Sequence, residues 1–180
     1  MSLRCDEVNS DLAPIDLSYS NLAHSFTLTV NAEAIKTSDP VLEVIDIITQ
    51  IKGAEEHRST IFLLLSEAYN NALEHGLLEL ASSIKDDEDG FIEHYLQRDI
   101  KLNELSSGHI TITANYIPEQ TTIYLIVTDS GKGFNVGDEK SISDNEEHGR
   151  GFMLMHELAS SVEYNDIGNQ ITIGYQLDAK

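Results

Sequence analysis

Two segments in the second half of the chain alternate apolar and polar residues with a period of two. They are Ile110–Ala114 and Thr122–Val127, and Pro118 lies in the short connection between them. A period of two puts alternate side chains on opposite faces of a strand, so the pair predicts antiparallel neighbours with one apolar face. That face needs a covering layer, because two strands alone are only marginally stable in water.

A helix of matching character lies upstream and predicts the cover. It runs from about Glu55 to Leu77, and its apolar stripe consists of Ile61, Leu65, Ala68 and Ala72. A stripe at helical spacing packs on a sheet. The other predicted elements are a strand at Ser25–Val30, a helix after Asp39-Pro40, a short helix at Gly151–Ala159, and closing strands at Val162–Tyr164 and Gln170–Leu177. This order predicts an α/β (α+β) two-layer sandwich with helices on one face of a mainly antiparallel sheet.

The chain has the length of a single domain. Its 180 residues suffice for one sizeable core. We expect a polar, irregular lead-in over residues 1–20, followed by the domain over 21–180. An insert near 80–107 is charged and then amphipathic. Its apolar stripe of Phe91, Tyr95, Leu102 and Leu105 is predicted to pack within the domain rather than to bind a partner.

Charge and cysteine content narrow the function. The formal charge of −20 argues against binding to nucleic acid or to an anionic membrane. Cys5 is the sole cysteine and no apolar run reaches the roughly 20 residues of a membrane span, so we expect a cytoplasmic protein. The acidic run at 86–90 lacks carboxylates where a calcium loop requires them, and the histidines have no zinc-ligand spacing.

The first chemical cluster lies near the end of the long helix. Glu67, Asn71 and His75 are spaced i, i+4, i+8 and are predicted to stack along one helix edge, apart from the apolar stripe. An amide oxygen such as that of Asn71 is a suitable ligand for Mg²⁺, which takes nucleotide phosphates and waters as its other ligands. The Glu67 carboxylate can accept a proton from an attacking hydroxyl. Taken alone, however, the cluster more often marks a solvated helix edge.

Two glycine-rich clusters follow. Asp129, Gly131, Gly133 and Phe134 come directly after a predicted strand, where a carboxylate can accept a hydrogen bond from an adenine amine and glycines permit close approach. Gly149, Arg150, Gly151 and Phe152 open the next helix, where backbone N–H groups and a guanidinium suit phosphate. Each cluster alone is also compatible with an ordinary turn or loop-to-helix joint.

The order of all three clusters is far more specific than any one of them. An E-x-x-x-N helix, a D-x-G-x-G after a strand and a G-x-G at a helix start resemble the N, G1 and G2 boxes of the GHKL ATPase superfamily. The run from Ser66 through Gly76 most resembles the corresponding run of the anti-sigma-factor serine kinases. The resemblance to these kinases covers about residues 22–177, apart from the insert.

The resemblance implies roles for the three clusters. Asn71 would hold Mg²⁺ bound with ATP, Glu67 would be the general base, and Asp129 would read adenine. His75 and the residues of the two glycine-rich clusters would complete the nucleotide site, with a lid at 135–148. The substrate would be a serine of a STAS-domain anti-sigma-factor antagonist, with a sigma factor as a further partner, and the resemblance also allows a homodimer.

The chain departs from the family pattern in three places. The family usually has a short connection after its N box, and the long insert here resembles that of domains fused behind a receiver and a metal-dependent serine phosphatase. Near the last strand, Gln170 stands where relatives carry a threonine beside adenine, so Thr172 is the nearest candidate for that contact. His148 stands where some relatives carry an arginine.

Two other functions stay open at this level. One is an ATP-gated module that binds a sigma factor or an antagonist with little turnover. The other is the catalytic domain of a sensor histidine kinase, against which stands the lack of a helical hairpin with a phospho-accepting histidine; His57 belongs to the helix that carries the N box.

Overall fold

The fold is an antiparallel sheet covered on one face by helices, which confirms the predicted two-layer architecture. The computed structural model describes residues 15–20, 25–80, 88–133 and 150–177. The strands are β1 Ile15–Ser20, β2 Ser25–Asn31, β3 His109–Ile117, β4 Thr122–Asp129, β5 Ser161–Tyr164 and β6 Gln170–Gln176. They form one six-stranded sheet in the order β1-β2-β3-β4-β6-β5, and every neighbouring pair is antiparallel.

Five α-helices complete the described part of the chain. They are α1 Ala32–Thr37, α2 Pro40–Ile48, α3 Arg58–Asn71, α4 Glu88–Glu104 and α5 Arg150–Leu158. Asn31 caps α1 by accepting hydrogen bonds from the backbone N–H groups of Glu33 and Ala34, and Asp39 caps α2 by accepting from Leu42. No helix among the described residues is both long enough and apolar enough to cross a membrane.

The core lies between the helices and the inward face of the sheet. The predicted stripe of α3 is buried: Ile61, Leu65 and Ala68 are fully shielded, and Ala72 is nearly so. Opposite them, β4 buries alternate residues, with Ile123 and Leu125 fully shielded and Val127 almost so. The two layers are therefore joined by the apolar face of the strands, which has a period of two, and the apolar stripe of α3, which has a period of 3.6.

The outward face of the sheet is polar and half-buried. Thr27 pairs with Thr113 at 2.9 Å and Thr29 with Thr111 at 3.0 Å between their hydroxyl oxygens. Cross-strand threonine pairs of this kind stabilise a sheet without requiring a second covering layer. The helices therefore leave this face uncovered among the described residues.

The long predicted helix changes type along its length. A 3₁₀ turn at Glu55–His57 precedes α3, and a π-helical segment at Ala72–Leu77 follows it. In the 3₁₀ turn, the His57 Nδ1 atom lies 2.8 Å from the hydroxyl oxygen of Tyr175. His57 therefore ties the start of α3 to the last strand.

Two predictions, one about the lead-in and one about the insert, differ from the structure. Residues 15–20 are predicted to belong to an irregular lead-in, but they form β1, which pairs along its whole length with β2. The insert stripe is predicted to pack within the domain. Leu102 and Leu105 do contact the core, whereas Tyr95 is 61% exposed. The reason is that α4 attaches to the end of the π-helical segment rather than lying on the sheet.

Polar contacts make that attachment. Glu74 is buried, and its two carboxylate oxygens each lie 3.2 Å from a partner on α4, Nε2 of His94 and Nε of Arg98. The Lys101 ammonium group donates to the carbonyl oxygens of Leu78 and Glu79 at 2.7 and 2.9 Å. The insert is thus fastened to the N-box segment by charged hydrogen bonds.

Candidate nucleotide site

The strand end at Asp129 is the most closely built part of the site. Asp129 is only 7% exposed, and its Oδ1 atom accepts a hydrogen bond of 2.7 Å from the backbone N–H of Gly131. Burial raises the pKa of Asp129 above its ordinary value, while the hydrogen bond from Gly131 works in the opposite direction. A buried carboxylate in this position retains acceptor capacity for a ligand.

The backbone around Asp129 is held from both sides of its strand. The Asp129 N–H donates to the carbonyl oxygen of Asn169 at 2.9 Å, and the Asn169 side-chain amide donates to the Asp129 carbonyl oxygen at 2.9 Å. On the other side, the Ser130 N–H donates to the His109 carbonyl oxygen at 3.1 Å. These contacts prevent the turn after β4 from shifting as a whole.

Glycines allow the N box and the turn after β4 to meet. A Cβ atom on Gly76 would lie 2.6 and 2.7 Å from the two carboxylate oxygens of Asp129, which is closer than real Cβ contacts occur. A Cβ atom on Gly131 would lie 2.8 Å from the carbonyl carbon of Gly76. The end of the helical run therefore touches Asp129 directly. At Gly131 the obstacle is backbone, so only glycine fits there, whereas a side chain at Gly76 would force the Asp129 carboxylate to move.

Position 133 requires glycine because of its backbone conformation as well as its close packing. Its φ of 72° lies in the left-handed region, and a Cβ atom there would lie 2.8 Å from the carbonyl carbon of Ile167. The turn between β5 and β6 thus packs on the second glycine of the predicted G1 box. Phe134, the next predicted site residue, lies outside the described residues.

The start of α5 meets the N box at Glu67. A Cβ atom on Gly151 would lie 2.8 Å from the carboxylate carbon of Glu67, so the carboxylate rests against the first turn of α5. Glu67 and Asn71 are both half-buried, and neither side chain makes a hydrogen bond to another described residue. The structure therefore brings together residues of all three predicted boxes.

Other predicted residues of the third cluster are described only in part. Gly149 and the predicted lid at 135–148 lie outside the described residues, and of Arg150 only the backbone, at the start of α5, is described. The Phe152 ring lies with its centroid 4.4 Å from that of His156 on the next turn of α5. Phe152 thus contacts its own helix.

His75 makes no hydrogen bond to Glu67 or Asn71, with which it is predicted to share a helix edge. The chain is π-helical over Ala72–Leu77, so the regular α-helical spacing on which that prediction rests ends at Asn71. The His75 side chain is exposed, and its Nδ1 atom lies 2.9 Å from the Leu80 carbonyl oxygen. Its observed contact is therefore with the end of the helical segment.

Thr172 does not lie near Asp129 on the same face of the sheet. It pairs with Ile126, whereas Asp129 shares the inward face of β4 with Val127 and Leu125. Because successive strand residues point to opposite faces, Thr172 lies on the outward face of the sheet. Gln170 lies on that outward face too, where its Oε1 atom accepts from the Thr128 hydroxyl at 3.1 Å.

Gly76 is a site residue to which the sequence motifs assign no role. In the sequence it marks only the end of the helix, since a glycine at a helix end is ordinarily a capping residue. Its position nine residues after Glu67, inside a segment that continues without a break, is the sequence signal for a second purpose. That purpose is the close approach of the Asp129 carboxylate.

The residues fit a nucleotide with its phosphates. The site consists of three adjoining parts. Asp129 is a buried acceptor at a strand end, Gly131 and Gly133 provide closely packed backbone, and the start of α5 lies beside the edge of α3 that carries Glu67 and Asn71. Within the described residues, no group of three or more His, Cys, Asp or Glu residues could hold a metal ion by itself. A divalent cation here would need the phosphates of the nucleotide among its ligands.

Comparison with known proteins agrees with this geometry. The sequence profile of the histidine kinase-like ATPase domain matches residues 30–175, which include all three boxes and the sheet from the end of β2 to β6. A search among curated proteins found no significant match. The matched family binds ATP, and its match covers most of the chain. The chain therefore belongs to the histidine kinase-like ATPase domain family.

Proposed function

We propose that this domain is a protein-serine kinase that transfers the γ-phosphoryl group of ATP to a serine of a STAS-domain anti-sigma-factor antagonist. The observation that supports transfer, rather than binding alone, is the Glu67 carboxylate. It is half-buried, makes no hydrogen bond to another described residue, and rests against the first turn of α5. A carboxylate left available beside a phosphate-binding helix start is suited to accept a proton.

The other residues of the site would bind and orient the nucleotide. Asp129 would accept a hydrogen bond from the exocyclic amine of adenine, and Gly131 and Gly133 would let the backbone approach the base and ribose. The backbone N–H groups at the start of α5, with Arg150, would face the phosphates. Phe134 and Gly149 would belong to the same two boxes.

Asn71 would hold Mg²⁺ through its side-chain oxygen. Mg²⁺ prefers oxygen ligands and would take its remaining ligands from the phosphates and water, which neutralises charge on the transferred group. Glu67 lies one helical turn before Asn71 on the same edge of α3, so the two side chains would act on neighbouring atoms. Glu67 would then accept the proton of the substrate serine hydroxyl. The serine oxygen would attack the γ-phosphorus of ATP as the bond between that phosphorus and the leaving oxygen of ADP breaks.

The partner follows from the resemblance of Ser66 through Gly76 to the anti-sigma-factor serine kinases. The same likeness makes a sigma factor the alternative partner, and the single cysteine supports a cytoplasmic location. His57 offers no support for autophosphorylation, because its ring is engaged with the Tyr175 hydroxyl at the start of α3. A module that binds ATP and its partner with little turnover is the alternative function.

The test is transfer of label from γ-labelled ATP to a panel of STAS-domain proteins. Glu67→Gln should reduce transfer about 10²- to 10⁴-fold, the usual contribution of a general base, while the Kd for Mg-ATP changes little. Glu163→Gln, an exposed glutamate on the outer strand β5, is the matched control and should transfer as the native domain does. No labelling of any panel member by a domain that binds Mg-ATP would favour the binding module.

A further inference from the structure

A second concavity lies on another side of α3 from the nucleotide site. It has a volume of about 270 Å³ and is enclosed by α3, the first turn of α2 and the second half of α4. It is lined by Ser66, Tyr69 and Asn70 of α3 and by Leu73 of the π-helical segment that follows. Their spacing of i, i+3, i+4 and i+7 puts them on one side of the helical run. Glu67 and Asn71 are each one position further along and therefore point to a neighbouring face.

The Tyr69 hydroxyl is the polar group at the base of this pocket. Tyr69 is 8% exposed, and its hydroxyl makes no hydrogen bond to any other described residue. Burial raises the pKa of Tyr69 to about 12, with Asp39 adding to the rise and Arg98 opposing it. The phenol therefore stays protonated at neutral pH. Among the described residues, the Tyr69 hydroxyl is not one of the fully buried side-chain atoms that lack a hydrogen-bond partner, so it is accessible from the pocket. A ligand atom could accept its hydrogen bond in place of water.

The two charged residues of the lining differ in how far they are neutralised. The Arg98 Nε atom donates to the buried Glu74 carboxylate at 3.2 Å, so its charge is compensated within the protein. Asp39 accepts only the Leu42 N–H, at 3.2 Å, as the cap of α2, and makes no ion pair with a described residue. The balance at the pocket is thus negative, and the whole chain carries −20. A cationic group would be attracted to it.

Part of the pocket lining is apolar and exposed. Phe62 forms part of the wall and is still 40% exposed, and its neighbour Leu63 is 39% exposed. Leu63 lies four residues before Glu67, so it occupies the same edge of α3 as the proposed general base. Exposed apolar surface therefore continues from the pocket toward Glu67.

We propose that this pocket docks a segment of the partner protein that presents a large apolar side chain next to a lysine or arginine. The apolar side chain would enter between Phe62 and Leu73, a backbone carbonyl of the segment would accept from the Tyr69 hydroxyl, and the cation would face Asp39. Such a short anchored segment is a common mode of peptide recognition. The proposal rests on the proposed function only in taking the occupant to be the protein substrate. Arg98 and Leu102 belong to the insert, so this wall is a feature of the present chain.

The test uses randomised peptides displayed on phage and selected on the full chain. Enriched sequences should share an apolar residue adjacent to a basic one. Synthetic peptides should bind Phe62→Ala at least about tenfold more weakly than the native chain, and Tyr69→Phe about fivefold more weakly through loss of one hydrogen bond. Ile100→Ala is the matched control, since Ile100 is 55% exposed on α4 but does not line the pocket. It should bind as the native chain does.

The remaining outcomes overturn the proposal. They are no enrichment, equal binding of the enriched peptides to Phe62→Ala, or saturation of the pocket by free amino acids such as L-arginine and L-phenylalanine without any peptide binding. The Kd for Mg-ATP should be unchanged in all three variants, which shows that they are folded. Because no phosphoryl transfer is measured, peptide binding can succeed while the kinase assay fails. Where a substrate has been labelled, Phe62→Ala should raise its KM and leave kcat unchanged.

Discussion

Replacing Gly76 by alanine tests the contact between the N box and Asp129. The added Cβ atom would lie 2.6 and 2.7 Å from the carboxylate oxygens, whereas ordinary contact begins at 3.4 Å, so one side must move by at least about 0.8 Å. The N–H and carbonyl groups of Asp129 are both hydrogen-bonded to Asn169, and the N–H of the next residue, Ser130, is bonded to His109 of β3. We therefore expect the carboxylate to rotate. A rotated carboxylate would lose the hydrogen bond that we propose it accepts from adenine, and a bond of this charged type contributes about 1.5–3 kcal/mol.

The expected result is an increase of about 10- to 150-fold in the Kd for ATP, measured by titration calorimetry with a non-hydrolysable analogue. Crowding should also lower the free energy of unfolding by about 1–3 kcal/mol, measured by urea denaturation. Gly53→Ala is the control. Its Cβ atom would meet nothing within 4 Å, but its φ of 93° makes alanine strained. It should therefore lose stability and keep its ATP affinity. If Gly76→Ala binds ATP like the native chain, Asp129 does not hold the base.

Two further predictions concern Asp129 and the first helix cap. Because burial raises the pKa of Asp129, its ionisation opposes folding above that pKa, and the opposition disappears below the ordinary aspartate pKa of about 3.9. Asp129→Asn should therefore raise the Tm of the nucleotide-free domain at pH 7, by an amount that shrinks as the pH falls. A difference in Tm that does not depend on pH would contradict this reasoning. The same variant should bind ATP about tenfold more weakly. Asn31→Ala removes the acceptor for two N–H groups of α1 and should cost about 1 kcal/mol in urea denaturation. Asp46→Ala, which breaks only the exposed pair with Arg58, should cost under about 0.5 kcal/mol, and an equal loss in both variants would rule out the capping role.

Much of the fold was predictable because its elements carry strong periodic patterns. The alternation in β2, β3, β4 and β6 and the buried stripe of α3 correspond to residues that the structure buries. The six residues of α1 were missed, since so short a segment holds less than two turns of pattern. The sequence of β1 does carry a strand signal, since Ile15, Leu17 and Tyr19 alternate with polar residues, so this edge strand was predictable as well.

The site was predictable where local motifs carried it and not where side-chain direction did. Gly131, Gly133 and Gly151 of the G1 and G2 boxes stand where close approach requires them. His75 and Thr172 were placed by spacing and by likeness. The His75 ring contacts the Leu80 carbonyl oxygen, and no sequence signal predicts the π-helical segment in which His75 lies. Thr172 depends on strand register, in which a difference of one residue exchanges the faces of the sheet.

The pairing of β4 with strands on both sides has a consequence for the entropy of ligand binding. Asp129 ends a strand that β3 and β6 flank, and its own N–H and carbonyl groups are both occupied by Asn169. Its carboxylate is further oriented by the Gly131 N–H. A group held in this way loses little conformational freedom when a ligand arrives, so nearly all the free energy of its contact is available as affinity. A base that meets Asp129 would find its acceptor already ordered in the free protein.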